Sequence, residues 1–245
     1  MPWRRDREQL IADAAGELAP LFGADLRTLV VYGSAVGSAV GSGAARAGVH
    51  SAGSDVNLAV VAEPLTFAHL QRVAQWWARW RREGFAAPLL LSGGDLARSR
   101  DVFPLELLDI QARHRTLAGR ELFADLTLAA DAVRLECERE AKGKLVRLRE
   151  LYLELAGSRR DLRALMRDAR KSFLAVMRGL LFVAGEGWCE AEPAVVAAFE
   201  RLHGRRFPML AALATAGEDA PLEERFAEYI AEAEALAVIA DRSSP

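Results

Sequence analysis

The chain has 245 residues, with 32 basic and 34 acidic side chains and a formal net charge of −2. This length is enough for one large domain or two small ones, each with its own core. The nearly balanced charge gives no basis for binding nucleic acid, which usually needs a basic surface. The only cysteines, Cys137 and Cys189, have no CxxC partner and no nearby histidine, so neither a disulfide scaffold nor a zinc site is expected.

The N-terminal segment MPWRRDREQL carries charges but is not followed by an apolar stretch, so no signal peptide is expected. No run of about 18 apolar residues occurs, which predicts that no segment spans a membrane. The expected location is therefore the cytoplasm, without a membrane partner.

The first half of the chain predicts helices alternating with short strands. Apolar residues at helical spacing predict a helix over residues 5–19. A second helix, Thr66–Glu83, carries Trp76, Trp77 and Trp80, which we interpret as core residues rather than a base-stacking platform. Strands are predicted at Leu26–Tyr32, Val56–Val61, Pro88–Leu91 and Val102–Ile110. This order predicts a small mixed sheet.

From about residue 127 the pattern is only helical. The predicted helices are Asp131–Ala156, Arg159–Ala184, Pro193–His203 and Pro221–Asp241. We expect an antiparallel bundle here. The sequence thus predicts an α+β protein, with a mixed-sheet domain over residues 1–126 and a helical bundle domain over residues 127–245.

The most informative segment is Leu29–Val61, LVVYGSAVGSAVGSGAARAGVHSAGSDVNLAVV, in which two apolar strands flank a long loop. Gly33 and Ser34 follow the first strand, and small residues there let backbone N–H groups converge on a phosphate. No Gly-Lys-Ser/Thr is present, which excludes a P-loop, and Arg46 stands where a dinucleotide fingerprint needs its third glycine. The alternative is a flexible loop between strands.

Asp55 opens the second strand, and position 57 lies on the same strand face because side chains alternate. An Asp-x-Asp pair beside a phosphate-binding turn would hold Mg²⁺ through oxygen ligands, with the metal also contacting triphosphate oxygens. Here the second residue is Asn57, which offers a carbonyl oxygen without charge. The alternative is that Asp55 only caps the loop.

Glu106 and Asp109 are unusual in the apolar run Val102–Ile110. If this run is a strand, alternation places the two carboxylates on opposite faces, so at most one points toward a shared site. Such a carboxylate would bind metal or accept the proton of an attacking hydroxyl. The alternative is that Glu106 pairs with Arg113 or Arg115.

These motifs resemble the Gly-Ser…Asp-x-Asp signature of DNA-polymerase-β-type nucleotidyltransferases. FPLELLDI resembles the strand that carries the third acid in aminoglycoside adenylyltransferases, and FPLELLDIQARHRTLAG is similar to uncharacterised bacterial nucleotidyltransferase-like proteins. A helical bundle after the catalytic domain also matches. Two departures are Asn57, which replaces an acid, and the 20 residues between Ser34 and Asp55, where the usual pattern has roughly ten.

The resemblance implies transfer of a nucleoside monophosphate, with ATP as the expected substrate, to a hydroxyl of an unknown small-molecule or protein acceptor. It implies Asp55 and Glu106 as catalytic residues. The implied nucleotide-binding residues are Gly33, Ser34, Ser54 and Asn57, and the implied Mg²⁺ ligands are Asp55, Asn57 and Glu106. Because of Asn57, the alternative is a degenerate nucleotidyltransferase fold that binds nucleotide or regulates a partner. Arg113, His114 and Arg115 would either face phosphate or form a solvated element end.

Overall fold

The protein is described by a computed structural model for residues 6–36, 55–215 and 222–243. Ser54 and most of the loop that follows Ser34 lie outside these residues. The chain divides into two compact units. The first comprises the residues up to Arg100 together with Glu106–Thr127, and the second comprises Asp101–Leu105 together with the residues from Leu128 onward.

The first unit contains a mixed four-stranded sheet. Its strands are β1 (Leu26–Tyr32), β2 (Asn57–Ala62), β3 (Leu89–Ser92) and β4 (His114–Gly119), in the spatial order β3-β2-β1-β4. Strand β1 runs antiparallel to β2 and β4, and β2 runs parallel to β3. The helices of this part of the chain are α1 (Arg7–Leu18), α2 (Phe67–Trp80), α3 (Gly93–Arg98) and α4 (Pro104–Ala112). The predicted mixed sheet and three of its four predicted strands are therefore confirmed.

The prediction of a fourth strand over Val102–Ile110 is wrong, because the segment from Pro104 onward belongs to helix α4. Pro104, Leu107 and Leu108 are buried, which is the i, i+3, i+4 spacing of one helix face. Pro104 is the first helical residue, where the missing N–H costs no hydrogen bond. The fourth strand is instead β4, which pairs with β1.

The core of the first unit lies between the sheet and the helices α1 and α2. It includes Leu29 and Val31 of β1, Leu18 of α1, and Trp76 and Trp80 of α2. The indole N–H of Trp76 donates to the carbonyl of Ala14 at 3.2 Å. Trp77 is partly buried and donates to the carbonyl of Phe85 at 3.4 Å. These contacts confirm that the tryptophans are core residues.

The second unit is helical over its described residues. Its helices are α5 (Ala130–Leu155), α6 (Arg159–Val183), α7 (Glu192–His203), α8 (Pro208–Thr215) and α9 (Phe226–Arg242). Helix α8 was not predicted from the sequence. Gly179 of α6 permits close packing, since a Cβ there would overlap Cys137 of α5 and Leu105. Cys137 and Gly179 lie at similar distances from the turn between α5 and α6, so these helices are antiparallel, as expected.

The observed architecture confirms the α+β fold class: a small mixed sheet with helices, followed by an all-helical region. Among the described helices, none combines the length and the apolar character that a bilayer crossing requires.

Candidate functional site

The candidate site is built at the end of the central strand β1. The antiparallel register places Tyr32, the last residue of β1, opposite Asn57 of β2 and opposite His114 of β4. A single 3₁₀ turn, Gly33–Ala35, follows directly. The sheet therefore brings the Gly33-Ser34 turn and Asn57 together, although they are far apart in the sequence.

Gly33 has a φ of +73°, a conformation that favours glycine. A Cβ at this position would lie 3.3 Å from Nδ2 of Asn57 and 3.6 Å from Oδ2 of Asp109. The Gly33 N–H donates to the carbonyl of Arg113 at 2.9 Å. Gly33 thus shapes the turn and allows the close approach of two polar side chains, whereas its own N–H is already bonded within the fold.

Asp55 and Asn57 differ in their surroundings. Asp55 is exposed and directly precedes Val56, whose N–H donates to the carbonyl of Gly84 at 2.7 Å. Asn57 is half-buried at the start of β2, beside Gly33. Asp55 is thus the more accessible of the two to a ligand.

Helix α4 carries both predicted acids toward the end of β1. Oε1 of Glu106 accepts a hydrogen bond from the Tyr32 hydroxyl at 2.5 Å, and Oδ2 of Asp109 lies near Gly33. Residues three apart lie on one face of a helix. The expectation that at most one of these acids faces a shared site was conditional on a strand, and that condition is not met because the segment is helical.

The Tyr32 phenol is held protonated by its surroundings. Burial raises the pKa of Tyr32 above its usual value, and the nearby carboxylates of Glu106 and Asp109 raise it further. The hydroxyl therefore remains a donor to Glu106. The sequence does not single out Tyr32 as a site residue; the signal for it is its position directly before Gly33 and Ser34.

The three residues Arg113, His114 and Arg115 are engaged within the first unit. Arg113 Nη2 donates to Oδ1 of Asp109 at 3.1 Å, and Arg115 Nη2 donates to Glu8 at 2.6 Å. The His114 ring lies 2.8 Å from the carbonyl of Ile110 and 2.9 Å from Oε1 of Glu121. Arg115 and His114 thus form hydrogen bonds and ion pairs within the first unit, and Glu106 bonds to Tyr32 rather than to either arginine.

The described residues do not assemble a complete metal site from protein groups alone. Within residues 6–36, 55–215 and 222–243, there is no group of three or more His, Cys, Asp or Glu side chains arranged to hold a metal ion. The structure brings Gly33, Asn57 and Asp109 together and joins Glu106 to Tyr32. Ser54 lies outside the described residues.

Comparison with known proteins gives a structural neighbour. No family model and no curated protein matches the sequence. The chain is similar to the crystal structure of the spectinomycin adenyltransferase AAD(9) from Enterococcus faecialis with ATP and spectinomycin, with a TM-score of 0.52. The identity is 12%, and the match covers 93% of this chain and 100% of the other. At this identity the likeness shows that the two chains share a fold.

Proposed function

We propose that this protein transfers a nucleoside monophosphate, AMP from ATP, to a hydroxyl group of an acceptor in a Mg²⁺-dependent reaction. The observation that supports this most strongly is the Gly33-Ser34 turn beside Asn57 at the end of β1, in a chain with the fold of an adenyltransferase. Because the neighbour was crystallised with spectinomycin, a small molecule is the first acceptor class to test. A protein hydroxyl is the alternative acceptor.

In the proposed reaction the acceptor oxygen forms a bond to the α-phosphorus of ATP. The bond from the α-phosphorus to the oxygen that bridges to the β-phosphate breaks, and pyrophosphate leaves. The hydroxyl proton passes to Glu106, whose carboxylate is oriented by the hydrogen bond from Tyr32. The remaining rate enhancement comes from positioning and from stabilisation of charge.

The side chains proposed as metal ligands suit Mg²⁺ by their chemistry. Carboxylates of Asp55 and Glu106 and the amide oxygen of Asn57 are hard ligands of the kind that Mg²⁺ binds. Mg²⁺ usually takes one or two protein carboxylates and completes its shell with water and substrate phosphates, so a full protein cage is not required. When bound, the ion would neutralise charge on the triphosphate.

Asn57 supports a second candidate function. A neutral side chain in place of an acid weakens the hold on the metal, so the same fold would bind nucleotide without turnover and act as a regulatory or interaction module. This candidate predicts nucleotide binding in the absence of ATP consumption.

Calorimetric titration with ATP and Mg²⁺ tests the nucleotide site common to both candidates. Binding in the micromolar to millimolar range is expected, and no binding at millimolar ATP would contradict both. The matched control is Asp168→Ala, an exposed carboxylate on α6, which should leave ATP affinity unchanged.

Turnover separates the two candidates. If the wild-type protein consumes ATP with spectinomycin or another hydroxyl acceptor, and Asp55→Ala abolishes that consumption, the protein is an enzyme. If the wild type is inactive and Asn57→Asp creates activity, the regulatory candidate is favoured, because restoring the missing acid is then what catalysis requires.

A further inference from the structure

Asp109 and Asn57 face the same point beside the Gly33 turn. The Cβ position of Gly33 lies 3.6 Å from Oδ2 of Asp109 and 3.3 Å from Nδ2 of Asn57. The missing side chain of Gly33 is what leaves room for both. The Asp109 carboxylate of α4 and the neutral Asn57 of β2 therefore lie beside the same glycine.

The orientation of this carboxylate is defined by Arg113. Oδ1 of Asp109 accepts a hydrogen bond from Arg113 Nη2 at 3.1 Å, and the side chains are 32% and 17% exposed. The carbonyl of Arg113 accepts the N–H of Gly33. Arg113 thus ties the end of α4 to the turn and holds Asp109 by one oxygen, while the other oxygen lies beside Gly33.

We propose that Asp109 supplies a further carboxylate of the nucleotide site, in place of the charge that Asn57 lacks. The ligand it serves is a divalent cation bound together with the nucleoside triphosphate. The charge count of the oxygen ligands is one of the factors that set the affinity of a protein for such a cation. This inference rests on the proposed function, and it adds a residue that the Asp-x-Asp pattern does not contain.

The test compares the gain in ATP affinity that Mg²⁺ produces, measured by calorimetry with Mg²⁺ and with EDTA. Asp109→Asn should reduce this gain by at least about tenfold. The double variant Asn57→Asp/Asp109→Asn moves the carboxylate to the strand and should restore most of the gain. Asp168→Asn, the same change on α6, should leave it unchanged.

Arg113→Gln removes the partner of Asp109 and keeps both carboxylates. If Asp109 acts through its charge, Arg113→Gln loses less of the Mg²⁺ gain than Asp109→Asn does, because the carboxylate remains. If Asp109 only positions Arg113, Arg113→Gln loses as much as Asp109→Asn and the double variant is not rescued, which overturns the inference. An unchanged Mg²⁺ gain in Asp109→Asn also overturns it, while the proposed function stands. A wild-type protein that binds no ATP under either condition contradicts the proposed function itself. Circular dichroism melting of each variant confirms that folded protein is compared.

Discussion

The Tyr32 hydroxyl donates to Oε1 of Glu106 across 2.5 Å, and this bond joins the last residue of β1 to the first turn of α4. It connects the central strand, which carries the Gly-Ser turn, with the helix that carries both acids. The acid predicted to accept a proton is therefore oriented by the strand that ends at the proposed nucleotide site.

Replacing Tyr32 by phenylalanine removes this donor and little else. We expect the free energy of unfolding to fall by about 1 kcal/mol. Turnover of ATP should fall more than ATP affinity, because Glu106 is proposed to act on the acceptor hydroxyl. Urea denaturation and steady-state kinetics measure the two effects. Tyr152→Phe is the matched control, since Tyr152 is exposed and stacks on Phe226. Equal turnover in both variants would contradict the orienting role.

Gly33→Ala should destabilise the protein and weaken nucleotide binding. A residue with a Cβ at φ +73° lowers the free energy of unfolding by about 1–2 kcal/mol. The added carbon would also lie 3.3 Å from Nδ2 of Asn57. Gly16→Ala is the opposite case, because Gly16 lies in α1 with open space at its Cβ position, and about 1 kcal/mol of stabilisation is expected. Urea denaturation and ATP titration check both. A Gly33→Ala protein as stable as wild type would contradict the proposed role of the turn.

Glu121 should make the first unit sensitive to acid. Partial burial alone would raise the pKa of Glu121, but four hydrogen bonds lower it from 4.5 to about 2. The donors are the Thr116 hydroxyl, the Phe123 N–H, the His114 ring and the Ala124 N–H. The folded protein then holds this proton less tightly than the unfolded chain, so the stabilisation is present above pH 4.5 and is lost as the pH falls toward 2.

The measurement for this prediction is urea denaturation at a series of pH values. Glu121→Gln should flatten the loss of stability between pH 4.5 and about 2. Glu83→Gln, an exposed glutamate, should keep the wild-type slope. Identical acid profiles for wild type and Glu121→Gln would refute the assignment.

Glu232 of α9 caps the start of α8. Its two oxygens accept the N–H groups of Met209 and Leu210 at 2.7 and 2.9 Å, and the residue is 6% exposed. Glu232→Ala leaves two buried donors without an acceptor, so a loss of about 2 kcal/mol is expected in urea denaturation. Glu234→Ala removes only a surface pair with Arg149 and should cost less than about 1 kcal/mol. Similar losses in the two variants would show that the hydrogen bonds between Glu232 and α8 contribute no more stability than a surface ion pair.

The sheet was largely predictable because its inner strands carry a strong signal. Leu26–Tyr32 is a short apolar run that is buried at five consecutive positions, which is typical of a central strand. β4 has no buried residue, so its sequence pattern is weak. It is a strand because it pairs with β1. Val102–Ile110 was misassigned because a short apolar run fits a buried helix face and a buried strand equally well.

Within the candidate site, the sequence predicted those contacts that follow from the pairing of two neighbouring strands. Gly33 and Asn57 meet because two adjacent strands pair, and an apolar run on either side of a loop suggests such pairing. The approach of Asp109 was not predictable, since it depends on α4 being a helix and on the absence of a side chain at Gly33. The three-residue spacing between Glu106 and Asp109 places both side chains on one face only if the segment is a helix.

Helix α4 makes the candidate site more vulnerable to a change in chain length than to many changes of residue type. Glu106 and Asp109 lie three residues apart on one face of this helix, and Arg113 directly follows its last residue, Ala112. A single residue inserted after Leu107 would rotate Asp109 by about 100° around the helix axis while leaving Glu106 in place. Natural variants of this chain should therefore place their insertions and deletions outside the segment from Pro104 to Arg113, and the length of that segment should be better preserved than its composition.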